Sequence, residues 1–400
     1  MSKKNTIKKA LLETFIRIVI LIVPVTVLIF IKAKNSDLNL EDFFAVDTFV
    51  AIVFALIVES LATIIINAIN KRKEDVFKLT DDYPSLVKKY SRENLFCYQG
   101  QQFPVICLYK RKYGDQPFDI QFDHSRYDRQ YQLPQQVEKN SDQLMLAHKY
   151  SKVYNKLNVR LDDLFWADNT VTLVYSKTYY YDSLITNRAM DYSLSNGKTV
   201  REIYEPGPFL SSLKDSKLSN HLGYNGFLET ADGKIIFVHR GKTLSIGKGT
   251  WMSSIGASLK TEYALTEKKQ LTKDRLSYAI IKEIQDELYI ELPENIDFTK
   301  HIIAFYRDLV EGGKPQFLFY YKLHTCTFKD FEKAFRRTYN QKDNKVDGTE
   351  FLGLTLDECR MCRLTASGFT YRGVEYKMTA SAAASLAMLL DYFEGNEEKE

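Results

Sequence analysis

The chain has 400 residues, with 55 Lys plus Arg against 51 Asp plus Glu and a formal net charge of +4 at pH 7. That excess is too small to point to duplex DNA or RNA as a partner, though it leaves room for an anionic ligand or an anionic membrane leaflet. The five cysteines, an odd number in so long a chain, exclude a disulfide framework and fit a reducing compartment. Cys359-x-x-Cys362 has no second pair and no nearby His ligands, so it reads as two core cysteines rather than a zinc site.

Two apolar runs open the chain, at residues 11–31 and 43–69, each long enough to cross a ~30 Å hydrocarbon core as a helix. Lys3, Lys4, Lys8 and Lys9 precede the first, and Lys71, Arg72 and Lys73 follow the second. The orientation rule then places both termini in the cytoplasm. Residues 1–74 are expected to form a two-helix transmembrane hairpin in the inner membrane. A cleavable signal peptide is the competing reading; the length of the run, the lack of a small-residue cleavage site and the second span oppose it. Arg17, Asp47 and Glu59 are ionisable groups inside these runs. Arg17 and Glu59 fall at similar depth, and either pairing in an oligomer or snorkelling accounts for them.

After Lys73 the composition turns polar and aromatic, and its length suggests two domains, 75–207 and 208–400, divided near Glu205-Pro206-Gly207-Pro208. Residues 75–90 and 135–158 read as helices, 94–109 and 118–122 as strand material, and the β-branched and aromatic alternation of 170–181 as a strong strand. Residues 221–238 read as two strands around the turn signal Ala231-Asp232-Gly233.

Residues 276–290 carry a helical apolar face of Leu276, Ala279, Ile280, Ile284 and Leu288. Glu283, Asp286 and Glu287 stand at i, i+3 and i+4 and share a second face. Such carboxylates are able to bind Mg²⁺ together with a phosphate substrate; a solvated helix face is the plain alternative.

This region resembles the Nudix superfamily. Gly256 and Glu262 have the first spacing of the family's box, with Trp251 five residues before Gly256. Lys282 stands at the box arginine, Glu283 at its first glutamate, Asp286 and Glu287 at its acidic pair, and Ile290 at its last aliphatic. Residues 316–323 and 350–358 resemble the family's later strand and acidic stretch. The departures are nineteen residues instead of seven between Glu262 and Lys282, Ser254-Ile255 in place of Pro-Gly, and Tyr289 where a glycine ends the helix. The resemblance implies an α+β protein: two transmembrane helices, a mixed α/β region and a Nudix-like α/β/α sandwich. It implies Mg²⁺ held by Glu262, Glu283, Asp286 and Glu287. If the domain is a hydrolase, the catalytic groups are Glu283, Asp286 and Glu287. Arg240, Lys242, Lys248, Trp251 and Lys282 are the expected ligand-binding residues, with basic groups for phosphates and Trp251 for a base.

Two helices followed by a Nudix-like body look like the transmembrane-Nudix effectors of CBASS anti-phage systems. That likeness implies a cyclic oligonucleotide second messenger as activating ligand, homo-oligomerisation on binding, and disruption of membrane lipids by the hairpins. The second reading is a membrane-tethered, Mg²⁺-dependent hydrolase of a nucleoside-diphosphate derivative.

Overall fold

In a computed structural model, residues 57, 59–61, 64, 78–148, 153–241, 247–340 and 346–394 are described. The chain divides into two units, 1–76 and 77–400. In the first, Ile57, Glu59, Ser60, Leu61 and Ile64 are helical, and Glu59 is exposed.

The second unit begins with the helix Tyr83–Lys89, started by Asp82, whose side chain accepts from the Ser85 amide, and by Pro84 in the first turn. Strands β1 (Leu95–Tyr98) and β2 (Gln101–Lys110) form a hairpin about Gln99 and Gly100, both at positive φ, the backbone a two-residue primed turn needs. Strand β3 (Asp119–Asp123) pairs in parallel with β5 (Thr170–Tyr179), which pairs with β4 (Leu157–Ala167) in a separate three-stranded sheet. The helix expected over 135–158 is instead Gln135–Glu138, Ser141–Met145 and the short Leu146–His148 turn. Asn140 accounts for the first break. Its side-chain amide donates to Gln136 O and its Oδ1 accepts from Ser195 N, so it serves as a link rather than a helical position.

The main sheet adds β6 (Gly223–Glu229), β7 (Lys234–Arg240), β8 (Trp251–Met252), β9 (Ile255–Ser258), β10 (Ile302–Asp308), β11 (Lys314–Lys322) and β12 (Gly348–Thr355). Its order is β1-β2-β10-β11-β6-β7-β12, with β9 on β6 and β8 on β7. Only β11 and β6 run parallel among these pairs. Their approach requires Gly226, where a Cβ would stand 2.0 Å from the Phe319 ring. Strands from both sides of residue 207 therefore share one sheet. A small antiparallel sheet of β13 (Arg363–Thr365), β14 (Gly368–Tyr371) and β15 (Val374–Lys377) follows.

Successive strand residues point to opposite faces, and β6 shows what covers each. Asn225 donates to Ser381 Oγ and Ser385 Oγ on the helix Ala380–Glu394. Tyr224 faces the other way, close enough to Glu283 and Glu287 to feel their charges. Those two lie on the helix Lys273–Leu288, which buries Leu276, Ala279, Ile280, Ile284 and Leu288 in the same core as Tyr224. The sheet is thus sandwiched between two helices, an α+β arrangement.

The transmembrane helices, and with them the two-span inner-membrane location, are corrected by the structure: no helix among the described residues is long and apolar enough to cross a membrane. The longest of the described helices, Lys273–Leu288, has 16 residues, ~24 Å against the ~30 Å needed. Ala380–Glu394 is apolar but has 15 residues and packs on the sheet. Arg17, Asp47 and most of both apolar runs lie outside the described residues. A hydropathy run sets a length, and ionisable residues such as Glu13, Arg17, Asp47 and Glu59 within it carry a penalty that length alone does not register.

Candidate functional site

The Lys273–Leu288 helix starts at Thr272, whose hydroxyl accepts from Arg275 N at 3.2 Å, and ends at Tyr289 in the left-handed conformation (φ 56°, ψ 31°). These limits place Glu283 and Glu287 one turn apart, turned toward β9 and the start of β12. Asp286 is exposed to solvent. Glu262, on the short helix Thr261–Ala264, is also exposed and pairs with Lys156 at 3.1 Å. The structure therefore brings together two of the four expected carboxylates. The third acid at this place is Asp347, just before β12. It lies three residues before the acidic stretch 350–358, and Asp347-Gly348 is itself a turn signal.

Each of these acids has a protein partner. Lys260 Nζ lies 2.7 Å from Glu283 Oε2. Burial pushes the Glu283 pKa up, and Lys260 returns only part of that loss. Burial works to lower the Lys260 pKa, but the Glu283 carboxylate outweighs it and the net shift is upward. Glu287 Oε2 accepts from Asp347 N at 2.6 Å. Burial, then the Asp347 charge, pushes the Glu287 pKa up to about 8. Asp347 in turn meets Arg240 Nη1 at 2.9 Å.

Gly256, Ser254, Ile255 and Gly348 join these acids around a cavity of about 10 Å³, room for a single water. Gly256 is needed here, since a Cβ would stand 2.7 Å from Met252 Cε. Among the described residues no three His, Cys, Asp or Glu side chains converge well enough to hold a metal ion. As arranged, with an ammonium on Glu283 and an amide on Glu287, the carboxylates do not fit a Mg²⁺ centre.

The expected ligand groups separate into two sets. Arg240 ends β7 and Trp251 begins β8, where His239 pairs with Trp251. The His239 and Trp251 rings stack at 4.8 Å, Tyr376 meets Trp251 edge-on at 5.6 Å, and Trp251 remains partly exposed. Lys242 lies outside the described residues. Lys248, in the turn before β8, lies toward His148; burial, with the charges of Arg188 and Lys248, pushes that imidazole down to about 4. Lys282 points away from the acids, donating to Gln285 Oε1 at 2.9 Å with its ammonium 5.9 Å from the Tyr278 ring centre. Cys359 and Cys362 are buried free thiols whose pKa values burial raises.

No protein-family model matches this chain, and no curated protein is similar to it.

Proposed function

We propose that this protein is a receptor for a nucleotide-type ligand, of the cyclic oligonucleotide class, that binds its ligand without hydrolysing it. The observation that carries this reading is the neutralisation of the acids. Glu283 is paired with Lys260, Glu287 with the Asp347 amide, and Asp347 with Arg240. Acids held this way, around a space for a single water, act as internal struts rather than as a metal centre. Beside them the Trp251, His239 and Tyr376 rings offer a stacking surface for a base.

A hydrolase of nucleoside-diphosphate derivatives is the second reading, favoured by one feature. A carboxyl with the proton affinity of Glu287 is suited to proton transfer near neutral pH. Calorimetry with cyclic di- and trinucleotides, alongside chromatography of the nucleotide with and without Mg²⁺, separates the two. Binding that survives intact nucleotide recovery and is weakened by Trp251→Ala supports the receptor. Mg²⁺-dependent breakdown abolished by Glu287→Gln overturns it in favour of the hydrolase, and no binding of any of these nucleotides overturns it outright.

A further inference from the structure

On the β3-β5-β4 sheet, lined by residues other than those around the paired acids, lies a cavity of about 310 Å³. Its floor is Arg160, Asp162 and Ser176 of β4 and β5; Arg126, Arg129 and Tyr131 stand on one rim and Lys217 on the other. Four cations face one carboxylate. Asp162 is already engaged, by Arg160 Nη1 and by Ser176 Oγ at 3.0 Å. Arg160 is 9% exposed, and among the described residues its Nε has no hydrogen-bond partner. Its Nη2 donates to the Ser216 and Leu218 carbonyls, at 3.4 and 3.3 Å. Among the described residues the side chains of Arg126, Arg129 and Lys217 form no ion pair.

Gathering like charges around a concave space is unfavourable unless an anion enters it, and a buried N–H without an acceptor adds to that penalty. The volume is at the low end for small-molecule sites. We infer that this cavity, lined by Arg126, Arg129, Arg160 and Lys217, is a binding site for a small phosphate-bearing anion. A phosphate carries up to two charges and enough acceptor oxygens to meet several guanidinium donors at once, which a single carboxylate does not. Tyr131 fixes the geometry: its ring lies 5.4 Å from the Arg160 guanidinium and its hydroxyl donates to Lys217 O at 2.6 Å.

The test is calorimetric titration of the full chain with inorganic phosphate, pyrophosphate, a nucleoside monophosphate and a dicarboxylate at low salt. At least one phosphate compound is expected to bind, more tightly than the dicarboxylate. The double variant Arg126→Gln/Arg129→Gln is expected to weaken it roughly tenfold or more, and Lys217→Gln by less. Lys214→Gln, an exposed lysine that does not line the cavity, controls for net charge. Both rim arginines are outside the core, and an unchanged melting temperature of the unliganded double variant certifies its fold. No binding up to millimolar phosphate or pyrophosphate, undiminished binding by the double variant, an equal loss in Lys214→Gln, or equal affinity for the dicarboxylate each overturns the inference.

Discussion

Two carboxylates one helical turn apart, Glu283 buried and Glu287 half-buried, repel each other, and this protein answers with a different partner for each. Glu283 has a cation, Lys260, whose side chain is 29% exposed. Removing that cation leaves a desolvated acid. Lys260→Met is therefore expected to lower stability by ~1–3 kcal/mol, the upper part of the usual range being discounted for the exposure of Lys260. Lys260→Met/Glu283→Gln should recover most of the loss, and chemical denaturation of the full cycle measures it. An additive double variant would contradict the pairing. Among the described residues Glu287 forms no ion pair, and its proton is held more tightly in the folded state than in the unfolded chain. Its pKa rises from 4.5 to about 8 on folding. Between those values the folded state binds the extra proton, so the contribution of Glu287 is full below 4.5 and is lost as pH rises through about 8. Glu287→Gln removes this slope. Thermal melts should show the variant gaining on the parent protein by on the order of 5 kcal/mol between acid and alkaline pH. Parallel profiles for the two proteins would exclude a raised Glu287.

At the scale of elements, the Lys273–Leu288 helix shows how far local pattern reaches. Its apolar spacing fixed the buried face, and all five predicted residues are buried. Its end was the less legible part, because Tyr289 stands where a glycine would signal a stop. The backbone there is nevertheless left-handed, with φ 56°, and the Tyr289 ring packs 5.2 Å from Phe335. The chain turn is imposed by tertiary packing against a residue preference worth ~1 kcal/mol. Tyr289→Gly is accordingly expected to be more stable than Tyr289→Ala by ~1 kcal/mol, the reverse of their order inside a helix. Equal stabilities in urea denaturation would show that the conformation is not retained. Strands β5, β6 and β7 were readable for the same reason as the helix face, since alternation and the Asp232-Gly233 turn are local signals. The partners of the acids were not. Lys260 is 23 residues from Glu283, Asp347 is 60 from Glu287, and only the sheet brings them together. Hydropathy misled in a related way at the N-terminus, where run length was read as a transmembrane hairpin that no described helix supports.

For the molecule as a whole, the segment from 187 to 220 is joined to the main sheet by apolar and by buried polar contacts. Leu213 lies in the large core and Leu210 packs with Ile106, Leu309 and Val310, while Met190 and Leu218 belong to a separate cluster with Val137 and Ile185. The links converge on the turn after β10. Arg201, 3% exposed, donates to Leu309 O at 2.7 Å and Val310 O at 2.8 Å while pairing with Asp191 at 2.6 Å. Asn187 Nδ2 donates to Glu311 O at 2.9 Å, and Glu311 sits between Arg188 and Lys314. Polar links of this kind bind two cores into one cooperative unit only while every member is satisfied. Arg201→Met strips the Leu309 and Val310 carbonyls of their guanidinium donors and Asp191 of its cation, and is expected to cost ~3 kcal/mol. If the links make residues 77–400 one folding unit, amides of β10 and β11 must lose protection against hydrogen exchange by the same free energy as those of the 187–220 segment. A loss confined to that segment would mean that the two cores open separately, with β4 and β5 remaining in the large core that also holds the Lys273–Leu288 helix.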